Sequence, residues 1–315
     1  MLAHSWRDIA FPRSGKPFRR VFSPAIETAA IVTGIIGVAL SPIRAENISA
    51  SPVAVDTEHL FGFTEGADIG NKGERELVID STLRAGRSMG SFAITASELE
   101  FKYTAFQNFR ISGAATLAHY DIAGVAGIED ARRAAIQSLS FDARFRMLDR
   151  AQAPFGLTLS VSPHWGLVDE TSGVRTDHFG TEIQLLADRE LKPEQLVGVV
   201  NLLSANDRAR LFASDGVQHE SLLGVGAALA AQIIPRVWLG AEVRYLRDYS
   251  GAVLNTFSGQ ALYVGPTLYT RFGSKAFISV AWDAQIWGSA TAAPGALDLT
   301  NFERHQAKLR FGFEF

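Results

Sequence analysis

The stretch 304–315 constrains this chain most. It reads Arg304-His305-Gln306-Ala307-Lys308-Leu309-Arg310-Phe311-Gly312-Phe313-Glu314-Phe315. An extended strand has a period of two. Ala307, Leu309, Phe311, Phe313 and Phe315 therefore share one face, and Arg304, Gln306, Lys308, Arg310 and Glu314 share the other. An edge strand of a soluble core would have to bury three alternate phenylalanines opposite a row of charge. A strand with lipid on one side and a wet interior on the other requires that division.

The same division recurs upstream. Alternating stretches occupy 76–85, 92–103, 109–120, 136–148, 155–167, 178–188, 196–204, 220–233, 237–249, 260–272 and 276–287, and 304–315 makes the twelfth. Each is close to the roughly 9–11 residues of a tilted membrane strand. The seventh is apolar on both faces apart from Asn201. Connections after the even stretches are short. Those after the third, seventh and eleventh (121–135, 205–219 and 288–301) are long, as the outer loops of such barrels are. Aromatics near strand ends (Tyr103, Phe109, Phe155, Trp165, Tyr245, Phe272, Phe315) suit interfacial girdles. The expected fold is all-β: a single antiparallel transmembrane barrel of about twelve strands over 74–315. A soluble sandwich would not need Phe and Leu opposed to charge on nearly every strand.

Alternation also assigns the lumen. On the second and fourth stretches Glu98, Glu100, Lys102, Asp142, Arg144 and Arg146 point inward. The fifth and sixth add His164 and Glu182, and the ninth and tenth add Glu242, Arg244 and Arg271. Lys308 and Arg310 complete the set. Charges this dense must pair or line water, because an unpaired buried charge is costly. Barrels of eight strands are filled and those of sixteen to eighteen are open, so twelve leaves both a pore and a salt-bridged plug in play.

The N-terminus reads as an address. Arg7, Arg13, Lys16, Arg19 and Arg20 precede a 12-residue apolar run, 29–40, which ends before Ser41, Pro42 and the small Ala45. A membrane-crossing helix needs about 20 apolar residues, so the run suits a secretory signal peptide over 1–45 better than an anchor. Residues 46–73, with Pro52 and several glycines, carry no period and are expected in the periplasm or in the lumen. The chain has 30 Lys+Arg and 33 Asp+Glu; without residues 1–45 the balance is 24 against 31, net −7, which argues against nucleic acid as a partner. There is no cysteine, which excludes disulfides and thiolate chemistry.

Phe315, with aromatics two and four residues before it, resembles the C-terminal signal of bacterial outer-membrane β-barrels. That resemblance implies outer-membrane lipid and the barrel-assembly machinery as partners, with Phe311, Phe313 and Phe315 as the assembly signal. Residues 149–166, DRAQAPFGLTLSVSPHWG, and 60–68, LFGFTEGAD, resemble an uncharacterised, porin-like family of proteobacterial outer-membrane proteins. The likeness extends over the mature chain and implies a barrel and a location, but no solute. Other twelve-stranded barrels of similar architecture include channels and a phospholipase.

No phosphate loop, zinc-protease helix motif or calcium loop is present, and neither a cofactor nor a metal is expected. His219-Glu220-Ser221 places a histidine and a serine on one outward face, a layout similar to outer-membrane lipid hydrolases. Their pattern continues Ser-Asn-Gly, whereas Leu222-Leu223 follows here and supplies no oxyanion donor. The expected function is a passive channel for small polar solutes. The alternatives are an interfacial lipid hydrolase at His219/Ser221 and a non-conducting structural or surface-interaction barrel.

Overall fold

A computed structural model describes residues 55–211, 216–293 and 295–315. The expected signal peptide, 1–45, lies outside the described residues. Twelve strands follow in order: β1 (Arg75–Ala85), β2 (Ser91–Phe106), β3 (Phe109–Ala123), β4 (Ala131–Leu148), β5 (Gly156–Val168) and β6 (Arg175–Lys192), then β7 (Leu196–Leu211), β8 (Val217–Ile234), β9 (Val237–Ser250), β10 (Thr256–Phe272), β11 (Ala276–Ala290) and β12 (His305–Glu314). Each pairs antiparallel with its sequence neighbours, and β1 pairs with β12 from Glu76↔Glu314 to Ala85↔His305. The barrel is closed, as the alternation requires, and leaves no open edge.

Outward positions carry the apolar half of each alternation. Leu99, Phe145 and Leu309 are 51, 45 and 44 % exposed in the isolated chain, the surface that lipid would cover. Bulges re-aim single residues. In β4 the register steps past Gln137, so Ile136 faces out while Gln137 and Ser138 are both buried.

The strands run further on the long-loop side than periodicity predicts. β4 begins at Ala131, β7 reaches Leu211 and β8 begins at Val217, so most of 121–135 and 205–219 is strand. Arg132, Arg133, Arg208 and His219 are exposed on these extensions. Beyond the bilayer the outward face meets water. The apolar signal stops there while the backbone ladder continues.

The interior is not empty. Residues 55–70 are mostly buried inside the barrel, where Leu60 and Phe61 pack with Val78, Val197, Val199, Trp238 and Phe277. This explains the two apolar faces of β7: Val200 and Leu202 face out, and Val197 and Val199 meet the segment. Gly62 permits the close approach, since a Cβ there would overlap Ala281 and crowd the Glu242 carboxylate. At the long-loop end, Phe92, Ile94, Tyr120 and Ile122 form an inward apolar cluster. Phe302, from the 291–304 connection, packs on Tyr263 and Leu246.

Candidate lumenal site

Segment 55–70 has no strand partner, so side chains of the wall satisfy its backbone. Glu242 on β9 accepts from the Phe63 and Thr64 amides at 3.0 and 2.8 Å, and from Thr64 Oγ1 at 3.0 Å. Asp188 on β6 accepts from the Ala67 amide at 2.8 Å, from the Thr57 hydroxyl, and from Arg150 Nη1 at 2.9 Å. Arg150, in the β4–β5 turn, also donates to Asp68 Oδ2 at 2.7 Å.

The segment's own acids gather the inward cations. Glu58 Oε1 stands 2.8 Å from Lys102 Nζ and 3.5 Å from Arg144 Nη1, while Oε2 pairs with Arg110. Glu65 reaches Arg144 Nη2 at 2.7 Å and Arg310 Nη2 at 3.2 Å. Arg244 lies 4.0 Å from the Phe63 ring centroid and Lys308 5.1 Å, two cation–π contacts to one ring. His59 stacks on Phe277 at 4.2 Å and pairs with Asp56 at 3.0 Å. Burial would raise the Glu58 carboxyl, but Arg110 and Lys102 outweigh it and hold the group well below the usual range.

Two polar chambers flank this layer. The outer one, about 560 Å³, is lined by Glu65, Glu98, Glu100, Lys102, Asp142, Arg144, His164, Glu182, Arg244, Lys308 and Arg310, and it reaches Arg84 and Glu170 at the long-loop end. The inner one, about 630 Å³, is lined by Glu58, His59, Arg146 and Arg271 and reaches Gln107, Asp149 and Glu314 at the short-turn end. Glu58 lines the inner chamber and Lys102 the outer, so their ion pair lies between the two.

The inward residues read from alternation thus divide by task. Lys102, Arg144, Glu242 and Arg310 hold the segment, with Arg271 3.9 Å from Asp56 and 2.5 Å from Glu314. Asp142 orients Arg144 at 3.0 Å and accepts from Ser162 at 2.7 Å. Arg146 donates to the Gln107 carbonyl at the inner rim. In the outer chamber Glu98 accepts from Thr116 at 3.2 Å, Glu100 from Ser112 at 2.5 Å, and Glu182 from the Gln184 amide. His164 faces Asp207 Oδ1 at 3.1 Å. Arg110, Asp188 and Asn201 were missed as partners of the segment. Their inward parity was legible, but nothing in the sequence told what would fill the lumen.

The hydrolase layout does not assemble as parity suggested. His219 is exposed, but Ser221 is 1 % exposed because the β9–β10 loop covers it. Its hydroxyl donates to the Gly251 carbonyl at 2.9 Å and accepts from the Leu254 amide at 3.0 Å. It clasps a loop and offers no free nucleophile.

The profile of a protein family described as "Family of unknown function (DUF6662)" matches residues 53–315. The chain belongs to the DUF6662 family. No curated protein matches it. Among solved structures, the DUF6662 barrel is similar to the COG4313 outer-membrane channel from Pseudomonas putida F1, with a TM-score of 0.56, 12 % identity, and 79 % of this chain and 98 % of that chain covered. It is also similar to the NanC porin (TM-score 0.47, 7 % identity, 75 % and 98 % covered). A third likeness is to the translocator domain of the autotransporter NalP from Neisseria meningitidis (0.47, 14 % identity, 79 % and 91 % covered). At 12 % identity the likeness to the COG4313 channel shows the fold alone, a barrel of the outer-membrane type.

Proposed function

We propose that the protein is an outer-membrane channel for small polar solutes, with segment 55–70 as its constriction. The carrying observation is the pair of polar chambers, about 560 and 630 Å³, that reach opposite ends of the barrel with the Glu58–Lys102 pair between them. A barrel meant only as a wall would have no use for two polar spaces, each roomy enough for many waters, reaching its two ends. In the outer chamber Glu98 and Glu182 accept from neutral Thr116 and Gln184, and the lining sets Glu98, Glu100 and Glu182 beside Lys102, Arg144 and Lys308. A lining of both signs suits polar and zwitterionic solutes. On this reading residues 1–45 are a cleaved export signal, and outer-membrane lipid and the assembly machinery are the partners of the outward face.

Single-channel recording of the purified, folded full-length mature chain in planar bilayers tests the proposal. A small conductance is expected. A folded, heat-modifiable barrel that passes no current would overturn it in favour of a sealed, structural barrel.

A further inference from the structure

Three lumen-facing side chains on consecutive strands converge above the constriction. His164 on β5 and His178 on β6 aim their Nε2 atoms at one oxygen, Oδ1 of Asp207 on β7, at 3.1 and 3.0 Å. The donor atoms all lie within 4.8 Å of one another. The backbone makes room for them. His164 pairs with Gly180, Gly180 with Asp207, and His178 with Gly166. A Cβ at Gly180 would overlap Asp207 Oδ1 and the His164 ring, and a Cβ at Gly166 would overlap the His178 ring. Glycine at both cross-strand positions leaves room for two imidazoles, packed edge to face with centroids 5.2 Å apart, to meet one carboxylate.

We propose that His164, His178 and Asp207 form a binding site for a divalent transition-metal cation of the zinc class, in the wall of the outer chamber. Zinc takes imidazole nitrogen and carboxylate oxygen at about 2.0–2.2 Å, and donors sharing one tetrahedral ion at those lengths stand about 3.4 Å apart. The hydrogen-bonded separations of 3.1 and 3.0 Å need open by only a few tenths of an ångström to admit the ion. Two imidazoles select against calcium and magnesium, which prefer all-oxygen shells. The three ligands span adjacent strands and leave the remaining positions toward the chamber, which His164 lines with Glu170 and Glu182. Those carboxylates supply negative charge for a cation arriving from outside.

The other group of this kind among the described residues, Glu58, His59 and Glu76, lacks the space. Lys102 Nζ already sits 2.8 Å from Glu58 Oε1 and 2.9 Å from His59 Nε2, where a cation would have to lie.

The test is equilibrium binding, which does not depend on whether the barrel conducts. Titration of the folded mature chain in detergent with zinc chloride should show one saturable site that excess magnesium does not displace. His164→Gln, His178→Gln and Asp207→Asn should each weaken it by about a hundredfold, since even outer-shell changes cost 10–100-fold. His119→Gln, on the outward face of β3, should leave it unchanged. Each variant is first checked for heat-modifiable mobility. Independently of any variant, copper(II) bound to the wild type should show electron paramagnetic resonance splitting from two nitrogens. Absence of saturable binding, displacement by magnesium, survival of binding in the three variants, or a copper spectrum without nitrogen splitting would each reject the site.

Discussion

Asn201 holds Glu65 by both sides of its peptide. The Asn201 Oδ1 accepts from the Glu65 amide at 2.7 Å, and Nδ2 donates to the Glu65 carbonyl at 2.7 Å. One side-chain amide on β7 thus does for a strandless segment what a neighbouring strand would do. Asn201→Ala removes both bonds and leaves a buried peptide unpaired, at about 1–3 kcal/mol. The barrel should stay closed while the segment loosens. Single-channel records of Asn201→Ala should show larger and noisier openings than wild type, and identical records would count against the segment as the constriction.

Glu58→Gln should act more strongly. It removes the carboxylate that Lys102 and Arg110 share, while Arg144 keeps Glu65 and Asp142. Breaking a buried ion pair from one side costs about 3–5 kcal/mol. Conductance should rise several-fold, and ion preference should move toward anions as the freed cations face the lumen. Reversal potentials in a salt gradient read the shift, and a shift toward cations would contradict the assigned geometry.

The hold on the segment should weaken at both ends of the pH scale. Asp56 is lowered from 3.8 to about 2, with His59 and Arg271 outweighing the burial that raises it, and Glu58 is also depressed. A depressed carboxylate stabilises the folded state above its unfolded value and loses that contribution as pH falls through the folded one. His59 runs the other way. Burial would lower it from 6.5, but Asp56 and Glu76 raise it, so its contribution is complete below about 6.5 and fades as pH climbs through the raised value. Conductance should be smallest near about pH 5–6, rise below about pH 4 and rise again as pH climbs above about 6.5 through the raised His59 value. A flat profile would remove these three residues from control of the lumen.

Phe311, Phe313 and Phe315 are outward and about half exposed, on the strand that closes the barrel. Changing all three to serine removes their lipid-facing area, with little effect on the inward Lys308 and Arg310. Outer-membrane fractions should contain little folded triple mutant and much degraded chain. Wild-type amounts would show that the C-terminal aromatics are dispensable for assembly.

Ser221→Ala should leave any conductance unchanged and expose the β9–β10 loop to protease, because both hydrogen bonds of the clasp are lost. Neither Ser221→Ala nor His219→Ala should change phospholipid hydrolysis, which is expected to be nil for the wild type. Ester turnover abolished by both changes would restore the hydrolase reading.

Strands and facing were legible because period two survives wherever one side meets lipid. Phe311 and Arg310 sit where parity puts them, outward and inward. The bulge at Gln137 was not legible, because one extra residue leaves no mark in a stretch of Ala, Ser and Leu. The path of 55–70 was hidden for a different reason. Its hydrogen bonds go to Glu242, Asn201 and Asp188, residues 121 or more positions away, and its glycines and threonines carry no period of their own. His178 and Asp207 escaped notice as partners of His164 because only the registers of β5, β6 and β7 bring the three together.

The position of the lumenal segment in the chain sets an order of events. Residues 55–70 precede β1, and β1 is joined by β12, the last strand to be made. Once the ladder from Glu76↔Glu314 to Ala85↔His305 has zipped, the barrel is a ring without a side door. A segment entering after that would have to thread through an end, trading water for Lys102, Arg110 and Arg144 along the way. Entry before closure lets it serve as the mould on which the wall forms, with Glu58 collecting cations from β2, β3 and β4 while the seam is still open. The final strand then acts as a latch, and the earliest part of the barrel domain to be synthesised is shut in by the latest.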